Sequence, residues 1–427
     1  MKKNLLLAFG ILFQFSAVFS QKIVSVAAPA LAGFSAERLL RLDGAMNEWV
    51  EKGWMNGGVA LIIHDGKIAY HKAAGYNDLD TKSILQKDAI FRIASQTKAI
   101  TSVAIMMLFE EGKLLLDDPI SKYIPSFKKQ SVLDKLSFLD TTYTIVPAKK
   151  EVTIRELLTH TSGIGYAQIG SKEANAIYAK SSITAGIGVQ DESLLNAMTR
   201  LGKLPLLHQP GERFTYGLNT DLLGCLVEII SGETLNNFFK KRIFTPLGMN
   251  DTYFHIPENK AARLVNLYRE DSLGNLQKAE SNMLNGKTIS SGYPLINSSY
   301  YSGGAGLSST IYDYAIFLQM LLNGGAYDGK RLLGRNTVRL MTMNQIGDVQ
   351  FANNDKFGLG FLVVSEMGSA RTPAQAGTFS WGGAFATSYW VDPKEKLVLL
   401  FYRQLQASTH GDVVEKFRAL TYQALSN

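Results

Sequence analysis

The residues most suited to chemistry are a serine and a lysine three positions apart, Ser95 and Lys98, in the stretch FRIASQTKAITS. The following segment, Ala99–Phe109, is apolar apart from Thr101 and Ser102, which indicates a helix buried around most of its circumference. Residues i and i+3 share a helix face, so the hydroxyl and the amine can meet inside the protein. The pattern predicts a lysine-activated serine nucleophile. The alternative interpretation of this pair is a helix-capping serine beside a lysine that reaches out to solvent.

The protonation state of Lys98 decides whether it can act as a base. A free lysine amine has a pKa of about 10.4, and burial lowers that value because it disfavours the charged form. The sequence therefore predicts a neutral Lys98 that accepts the proton of Ser95. The free N–H groups at the start of the helix also favour a developing negative charge on oxygen.

A second Ser-x-x-Lys pair, Ser126 and Lys129, occurs in IPSFKKQ. It follows Pro125 and runs into consecutive lysines, which is typical of a polar surface loop. We expect this second pair to have no catalytic role.

Other chemistries find little support among the 427 residues. The six histidines form no His-Glu-x-x-His pair, and the one cysteine, Cys225, sits in an apolar stretch and permits no internal disulfide. Neither Gly-x-Ser-x-Gly nor Gly-x-Gly-x-x-Gly occurs, which argues against an α/β-hydrolase nucleophile and a dinucleotide site. We therefore expect no metal and no cofactor.

Composition and charge limit the classes of binding partner and the cellular location that the sequence supports. The formal net charge of +7 is mild, and no block rich in lysine and arginine occurs, so nucleic-acid binding is not expected. Residues 1–20 combine two lysines, an apolar run and small residues, which is typical of a secretory signal peptide cleaved near Ser20–Gln21. An uncleaved membrane anchor is the alternative, but Gln14 interrupts the run short of the ~20 apolar residues needed to span a bilayer. These features predict a periplasmic or secreted protein without stable membrane insertion after cleavage.

The distribution of helix and strand patterns predicts one two-lobed domain at residues 34–427, preceded by a linker at 21–33. Strand patterns occupy about 34–90 and 300–427, with hairpin turns at Asp65-Gly66 and Asp392-Pro393, whereas helical patterns dominate about 91–299. The expected fold class is α/β (α+β): an antiparallel sheet built from N- and C-terminal strands, flanked by helices, with an inserted and mostly helical lobe.

Five further motifs follow the Ser95 segment in order: TIRELLTHTSGIGY, FTYGLNTDLLG, PLGMNDTYF, GGAGLSST and FSWGGAFATSYWVDP. With these motifs the sequence resembles the serine β-lactamase/penicillin-binding-protein-like superfamily, in particular its class C-like branch and the family VIII carboxylesterases. The resemblance implies the β-lactamase/DD-peptidase-like fold. It makes Ser95 the acyl-accepting nucleophile, Lys98 its partner and Tyr216 the proton shuttle. The N–H groups of Ser95 and Ala384 would then form the oxyanion hole.

Two departures from the resemblance bear on the substrate. The asparagine that β-lactamases carry two residues after the shuttle tyrosine is Leu218 here, and Asn219 comes one residue late. Their Lys-Thr-Gly motif is replaced by Trp381, Gly382 and Gly383, so a cation that would bind a substrate carboxylate is missing. The three replacing residues are expected to contact the substrate, with Trp381 walling an acyl pocket or serving only in packing.

Three other landmarks are expected to be structural. His160 is interpreted as a loop-former, and Asp221 as a residue that caps the following helix or fixes the Tyr216 loop. The glycines Gly303–Gly306 indicate close backbone approach or positive φ. Tyr216 on its own could also be a core aromatic residue.

The expected function is a serine hydrolase that cleaves small acyl esters through a Ser95 acyl-enzyme. One alternative is a β-lactamase, D-amino-acid peptidase or penicillin-binding protein, which would share that intermediate. Another is a non-catalytic sensor or binding protein for acyl ligands. The partner in each case is a small acyl ester or a β-lactam-like molecule, and nothing in the sequence indicates an oligomeric state.

Overall fold

The computed structural model describes residues 21–167, 169–183, 186–189, 192–284 and 287–426. The predicted signal peptide, residues 1–20, lies outside the described residues. The helices are α1 (Ala36–Glu51), α2 (Thr97–Glu110), α3 (Ile154–Leu158), α4 (Lys172–Lys180), α5 (Leu194–Leu201), α6 (Asn219–Ser231), α7 (Leu235–Phe239), α8 (Thr245–Leu247), α9 (Ile311–Leu322), α10 (Arg335–Met341), α11 (Glu366–Ser369) and α12 (Asp412–Tyr422).

The strands are mostly short outside one large sheet. They are β1 (Val24–Ser25), β2 (Gly57–His64), β3 (Lys67–Asp78), β4 (Ser83–Ile84), β5 (Phe91–Arg92), β6 (Ser131–Leu136), β7 (Tyr143–Pro147), β8 (Thr252–Tyr253), β9 (Tyr268–Glu270), β10 (Leu276–Lys278), β11 (Ser281–Leu284), β12 (Lys287–Ser290), β13 (Ser308–Ser309), β14 (Ala326–Tyr327), β15 (Lys330–Arg331), β16 (Lys356–Phe357), β17 (Leu362–Val363), β18 (Phe379–Gly383), β19 (Thr387–Asp392), β20 (Leu397–Tyr402) and β21 (Leu405–Gln406).

The large sheet joins the two ends of the chain, as the sequence predicts. Its order is β1-β3-β2-β20-β19-β18-β17-β16, with β4 paired to β3. The N-terminal β2 and the C-terminal β20 lie side by side in antiparallel register, from Val59 opposite Tyr402 to His64 opposite Leu397. The pairing is antiparallel throughout except at the edge, where β1 runs parallel to β3.

Side chains alternate between the two faces of the sheet because successive residues of a strand point in opposite directions. In β2, Val59, Leu61 and Ile63 join the large core shared with α2 and α9, whereas Ala60 and Ile62 join a second core shared with α1 and α12. The sheet is therefore covered on both faces, which explains why its central strands are apolar without a polar alternation.

Helix α2 lies in the interior of the molecule. Every residue from Thr97 to Leu108 is buried, which confirms the prediction made from its apolar composition. A short strand, β5, and a 3-10 turn, Ala94–Gln96, precede α2, and the turn leads directly into the helix.

Most of the predicted turns and caps are present. Asp65 and Gly66 have φ of 46° and 71° between β2 and β3, as a two-residue hairpin requires, and Ser35 caps α1. The segment FGLGFLVV (residues 357–364) has the apolar pattern of a single strand, but it does not form one. It forms two short antiparallel strands, β16 and β17, because Gly360, with φ 99°, turns the chain back on itself.

Residues 21–33, predicted to be a linker, contact the rest of the fold. Ile23 is buried, β1 adds to the sheet edge, and a 3-10 turn occupies Pro29–Ala32. The carbonyl of Gly33 accepts a hydrogen bond from the N–H of Ser426, so this segment joins the C-terminus to the sheet. No helix in the described part of the chain is long and apolar enough to cross a membrane.

Candidate active site

Ser95 lies in the 3-10 turn Ala94–Gln96 at the start of α2. Two tyrosine hydroxyls fix the turn by hydrogen bonds to Gln96. Tyr314 of α9 donates to the Gln96 carbonyl at 2.8 Å, and Tyr402 of β20 donates to the Gln96 side-chain oxygen. The first residue of the turn has φ 42°, a strained value for a residue with a Cβ atom. Ser95 is therefore half-buried on a backbone whose direction is imposed by tertiary contacts.

The amine of Lys98 is enclosed by protein, since the residue is only 2% exposed. Its Nζ donates to the Gly304 carbonyl at 2.7 Å, to the Tyr166 hydroxyl oxygen at 3.0 Å and to Ser95 Oγ at 3.4 Å. The alternative of a lysine that reaches solvent is therefore wrong. The serine and the lysine meet inside the protein, as the i, i+3 spacing predicts.

The expected charge of Lys98 needs correction. Burial does oppose the ammonium form, but the phenolic oxygens of Tyr166 and Tyr216 outweigh it and hold the pKa of Lys98 above its ordinary value. Lys98 is therefore an ammonium group at neutral pH. Its role in this geometry is to stabilise a negatively charged oxygen beside Ser95, because an ammonium has no lone pair with which to accept the proton itself.

Tyr166 is the residue of this cluster that the sequence reasoning missed. It ends the motif THTSGIGY and is 5% exposed. Burial raises the pKa of Tyr166, and Lys98 opposes that rise only in part, so the phenol stays protonated at neutral pH. Its oxygen accepts from Lys98 while its O–H remains available as a donor. The motif was recognised, but no spacing rule connects Tyr166 to Ser95 along the chain.

Tyr216 joins the same cluster through its ring. Lys98 Nζ lies 4.6 Å from the ring centroid of Tyr216, and the rings of Tyr166 and Tyr216 are 5.3 Å apart. The indole N–H of Trp381 donates to the Tyr216 hydroxyl oxygen at 3.4 Å, a long and weak hydrogen bond. The structure thus brings Tyr216 to Lys98 as predicted, and its role as proton shuttle stays a prediction.

The loop that carries Tyr216 is held by His160 and Asn219. Asn219 Nδ2 donates to His160 Nδ1 at 2.9 Å, and the N–H of Thr215 donates to the His160 carbonyl at 2.7 Å. Burial and the charge of Lys98 keep the pKa of His160 well below its ordinary value, so its ring is neutral. These contacts fit the interpretation of His160 as a loop-former. They also give a structural role to Asn219, which stands one residue after the position that β-lactamases fill with asparagine.

The end of β18 lies against the nucleophile turn. Trp381, Gly382 and Gly383 are its last three residues, and a Cβ atom on Gly383 would lie 2.3 Å from the carbonyl oxygen of Ile93. Only a glycine permits that approach. In the described part of the chain nothing accepts a hydrogen bond from the N–H of the following Ala384, and its role in an oxyanion hole stays a prediction.

Neither a reactive thiol nor a metal-type cluster of side chains occurs in the described part of the chain. Cys225 is a free, buried cysteine, and burial raises the pKa of its thiol to about 12, so the thiol stays protonated and unreactive. Among the described residues, no group of three or more His, Cys, Asp or Glu side chains could hold a metal ion. The groups that accept hydrogen bonds from Lys98 at the Ser95 site are a hydroxyl, a phenol and a backbone carbonyl.

We expect Tyr166→Phe to lower kcat by about 10- to 100-fold, because it removes an acceptor from a buried ammonium. Tyr216→Phe should cost about 10²–10⁴-fold, the usual range for a general acid–base group. The measurement is steady-state hydrolysis of a p-nitrophenyl ester, with thermal unfolding to verify the fold.

The matched control for both variants is Tyr327→Phe. Tyr327 is a buried tyrosine in β14, and its hydroxyl accepts from the N–H of Ile23 at 3.3 Å. Its loss should leave kcat nearly unchanged. Full activity of Tyr166→Phe would show that this phenol takes no part in the cluster.

A serine, a buried lysine and two tyrosines that meet at the start of α2, beside the last residues of β18, define a serine hydrolase with the β-lactamase/DD-peptidase fold. The model of the β-lactamase family matches residues 42–423. The chain belongs to the β-lactamase family.

Relatives and solved structures agree with this assignment. Protein Rv1367c of Mycobacterium tuberculosis (strain ATCC 25618 / H37Rv) is 35% identical over 382 residues, covering 86% of this chain and 90% of its own length. Esterase EstB of Burkholderia gladioli is 28% identical and covers 84% and 88%. The solved structure of EstCE1, described as a hydrolase with promiscuous acyltransferase activity, matches with a TM-score of 0.77 at 25% identity, over 90% of this chain and 98% of its own. The two esterase-type relatives favour the family VIII carboxylesterase-like branch.

Proposed function

We propose that this protein is a carboxylesterase that hydrolyses small acyl esters through an acyl-enzyme on Ser95. The observation that carries the proposal is the position of Trp381. Its indole N–H meets the hydroxyl of Tyr216 where the resemblance to β-lactamases calls for a cation that binds a substrate carboxylate. An aromatic group there favours an uncharged substrate, and the similarity to Esterase EstB supports the same choice.

The acylation step follows from the contacts of Lys98. In this step Tyr216 acts as a phenolate, which the Lys98 ammonium stabilises. Ser95 Oγ attacks the ester carbonyl carbon while its proton passes to the phenolate oxygen of Tyr216. The carbonyl oxygen becomes an oxyanion at the N–H groups of Ser95 and Ala384. The C–O bond to the alcohol then breaks, and Tyr216 returns the proton to the departing oxygen.

Deacylation uses the same groups, with water in place of the alcohol and Ser95 as the leaving group. Water takes the place of the alcohol, and Tyr216 accepts one of its protons as the oxygen attacks the acyl carbon. The bond to Ser95 Oγ breaks, and the serine oxygen recovers the proton from Tyr216. The products are a carboxylic acid and the free enzyme, so no co-reactant beyond water is required.

The space beside Tyr216 suits a small substrate. A cleft of about 650 Å³ opens there, and its lining combines the apolar Leu133, Leu207 and Phe214 with the charged Glu173 and Arg213. Sites for small molecules usually have volumes of ~300–1,000 Å³. The cleft has the volume of such a site and adjoins the proposed proton shuttle, whereas Ser95 is not one of its lining residues.

The test compares p-nitrophenyl acetate and butyrate with the β-lactam nitrocefin. We expect kcat/KM for the better ester to exceed that for nitrocefin by about tenfold or more, since a missing charged contact costs about 1.5–3 kcal/mol. Faster nitrocefin hydrolysis would favour a β-lactamase or D-amino-acid peptidase instead. Intact-mass spectrometry adds a second criterion: a stable adduct without turnover would favour an acyl-ligand sensor, and no adduct a binding protein.

The proposed location is the periplasm or the cell exterior, and it rests on the amino-acid pattern of residues 1–20. Mass spectrometry of the mature protein should find an N-terminus near Gln21, and fractionation should find the protein outside the cytoplasm. An intact Met1 in the cytoplasmic fraction would contradict this location.

A further inference from the structure

A buried carboxylate lies next to the Ser95 cluster. Asp221 is in the first turn of α6 and is 0% exposed. The interpretation of Asp221 as a helix cap is not supported, because no side chain caps the N-terminus of α6. An aspartate taken fully out of water needs a compensating partner, so its position calls for an explanation.

The glycine at position 304 shows what Asp221 approaches. A Cβ atom on Gly304 would lie 2.6 Å from Asp221 Oδ2, 3.2 Å from the Tyr166 hydroxyl and 3.4 Å from Lys98 Nζ. The carboxylate, the phenol and the ammonium therefore converge on one Cα atom that carries no side chain. This close approach confirms the interpretation of the Gly303–Gly306 segment.

Several titratable or polar groups face this cluster from the elements packed around it. They are His160 and Tyr166 from the segment after α3, Tyr216 from the loop before α6, Tyr300 and Ser302 from the segment before β13, and Tyr389 from β19. Burial raises the pKa of Asp221, whereas the Ser302 hydroxyl and the charge of Lys98 favour its ionised form. His160 is neutral, so apart from the tyrosines the groups of this set that carry opposite charges when ionised are Lys98 and Asp221.

We propose that Asp221 is a positioning residue of the Ser95 site, whose carboxylate is the counter-ion that keeps Lys98 charged and directed at Gly304 and the tyrosines. A buried ammonium without a negative partner is strongly disfavoured. The inference rests on the proposed function in one respect, namely that Ser95 is the nucleophile. It adds that the charge of Asp221 sets the pH range in which Ser95 reacts.

The test is the pH dependence of Ser95 phosphonylation by an alkyl fluorophosphonate, in which Ser95 Oγ bonds to phosphorus, fluoride leaves and the serine proton passes to the site. Removing a negative charge makes nearby groups release protons at lower pH. We therefore expect Asp221→Asn to move the whole pH–rate profile to lower pH by about one unit. A purely structural role would lower the rate at every pH without moving the profile.

Asp313→Asn is the matched control. Asp313 is also buried, but it accepts hydrogen bonds from the N–H of Asp251 at 2.6 Å and from Thr252 Oγ1 at 3.0 Å, away from Lys98. Its variant should keep the wild-type profile. A profile that moves equally in both variants would assign the shift to general destabilisation and overturn the proposal.

If Asp221→Asn does not fold, the variant Ser302→Ala tests the same proposal. The buried Ser302 hydroxyl favours the ionised carboxylate, so its loss should move the profile in the same direction by a smaller amount. An unmoved profile in the folded variants, beside normal wild-type labelling, would overturn the role of Asp221 alone. No labelling of the wild type at any pH would instead contradict Ser95 as nucleophile and the proposed function with it.

Discussion

Ser95→Ala should abolish the acyl-enzyme and lower kcat for p-nitrophenyl esters by about a thousandfold or more, the scale on which serine nucleophiles contribute. The reason is chemical: alanine has no oxygen to attack the carbonyl carbon, whereas the oxyanion donors and the cleft remain. Stopped-flow measurement should show a burst of p-nitrophenol in the wild type and none in the variant.

The second Ser-x-x-Lys pair supplies the control for this variant. Ser126 lies in the turn Pro125–Phe127, and Lys129 is exposed with φ 58°, so these two residues share no buried site. Ser126→Ala should retain wild-type burst and turnover. If Ser95→Ala kept its turnover, or Ser126→Ala lost it, the assignment of the nucleophile would be wrong.

Lys98→Met is expected to lower kcat/KM by about a thousandfold or more, close to the effect of Ser95→Ala, because residues that act as one unit show non-additive losses. Methionine preserves the length of the side chain but removes the ammonium that stabilises the phenolate. Ester kinetics and the rate of fluorophosphonate labelling both report this loss. The double variant Ser95→Ala, Lys98→Met should be no slower than either single one.

Lys129→Met is the matched control for the lysine, since Lys129 is exposed, and surface substitutions usually change the free energy of unfolding by less than about 0.5 kcal/mol. Circular dichroism and thermal unfolding establish that Lys98→Met keeps the fold. A folded Lys98→Met enzyme with activity within tenfold of the wild type would remove Lys98 from the mechanism.

The residues recognisable from sequence are those whose partners are near in the chain or follow a local rule. Asp65-Gly66 satisfies the backbone needs of a tight hairpin, and Ser35 caps α1 at the residue where the apolar spacing begins. The apolar pattern of FGLGFLVV does not indicate the turn at Gly360, because a positive φ there is a property of the folded backbone. Tyr166 escaped assignment because it stands 68 residues from Lys98, and no periodicity extends over that distance.

By itself, the sequence determined the pairing of Ser95 with Lys98, because residues three positions apart share one face of a helix. It also determined that strands from both ends of the chain form one sheet, because their apolar runs must be covered. Only the tertiary structure decided the charge of Lys98. That charge depends on how far burial is offset by Tyr166 and Tyr216, which come from separate segments of the chain. Local sequence carries no record of such distances, and electrostatic energies depend on them directly.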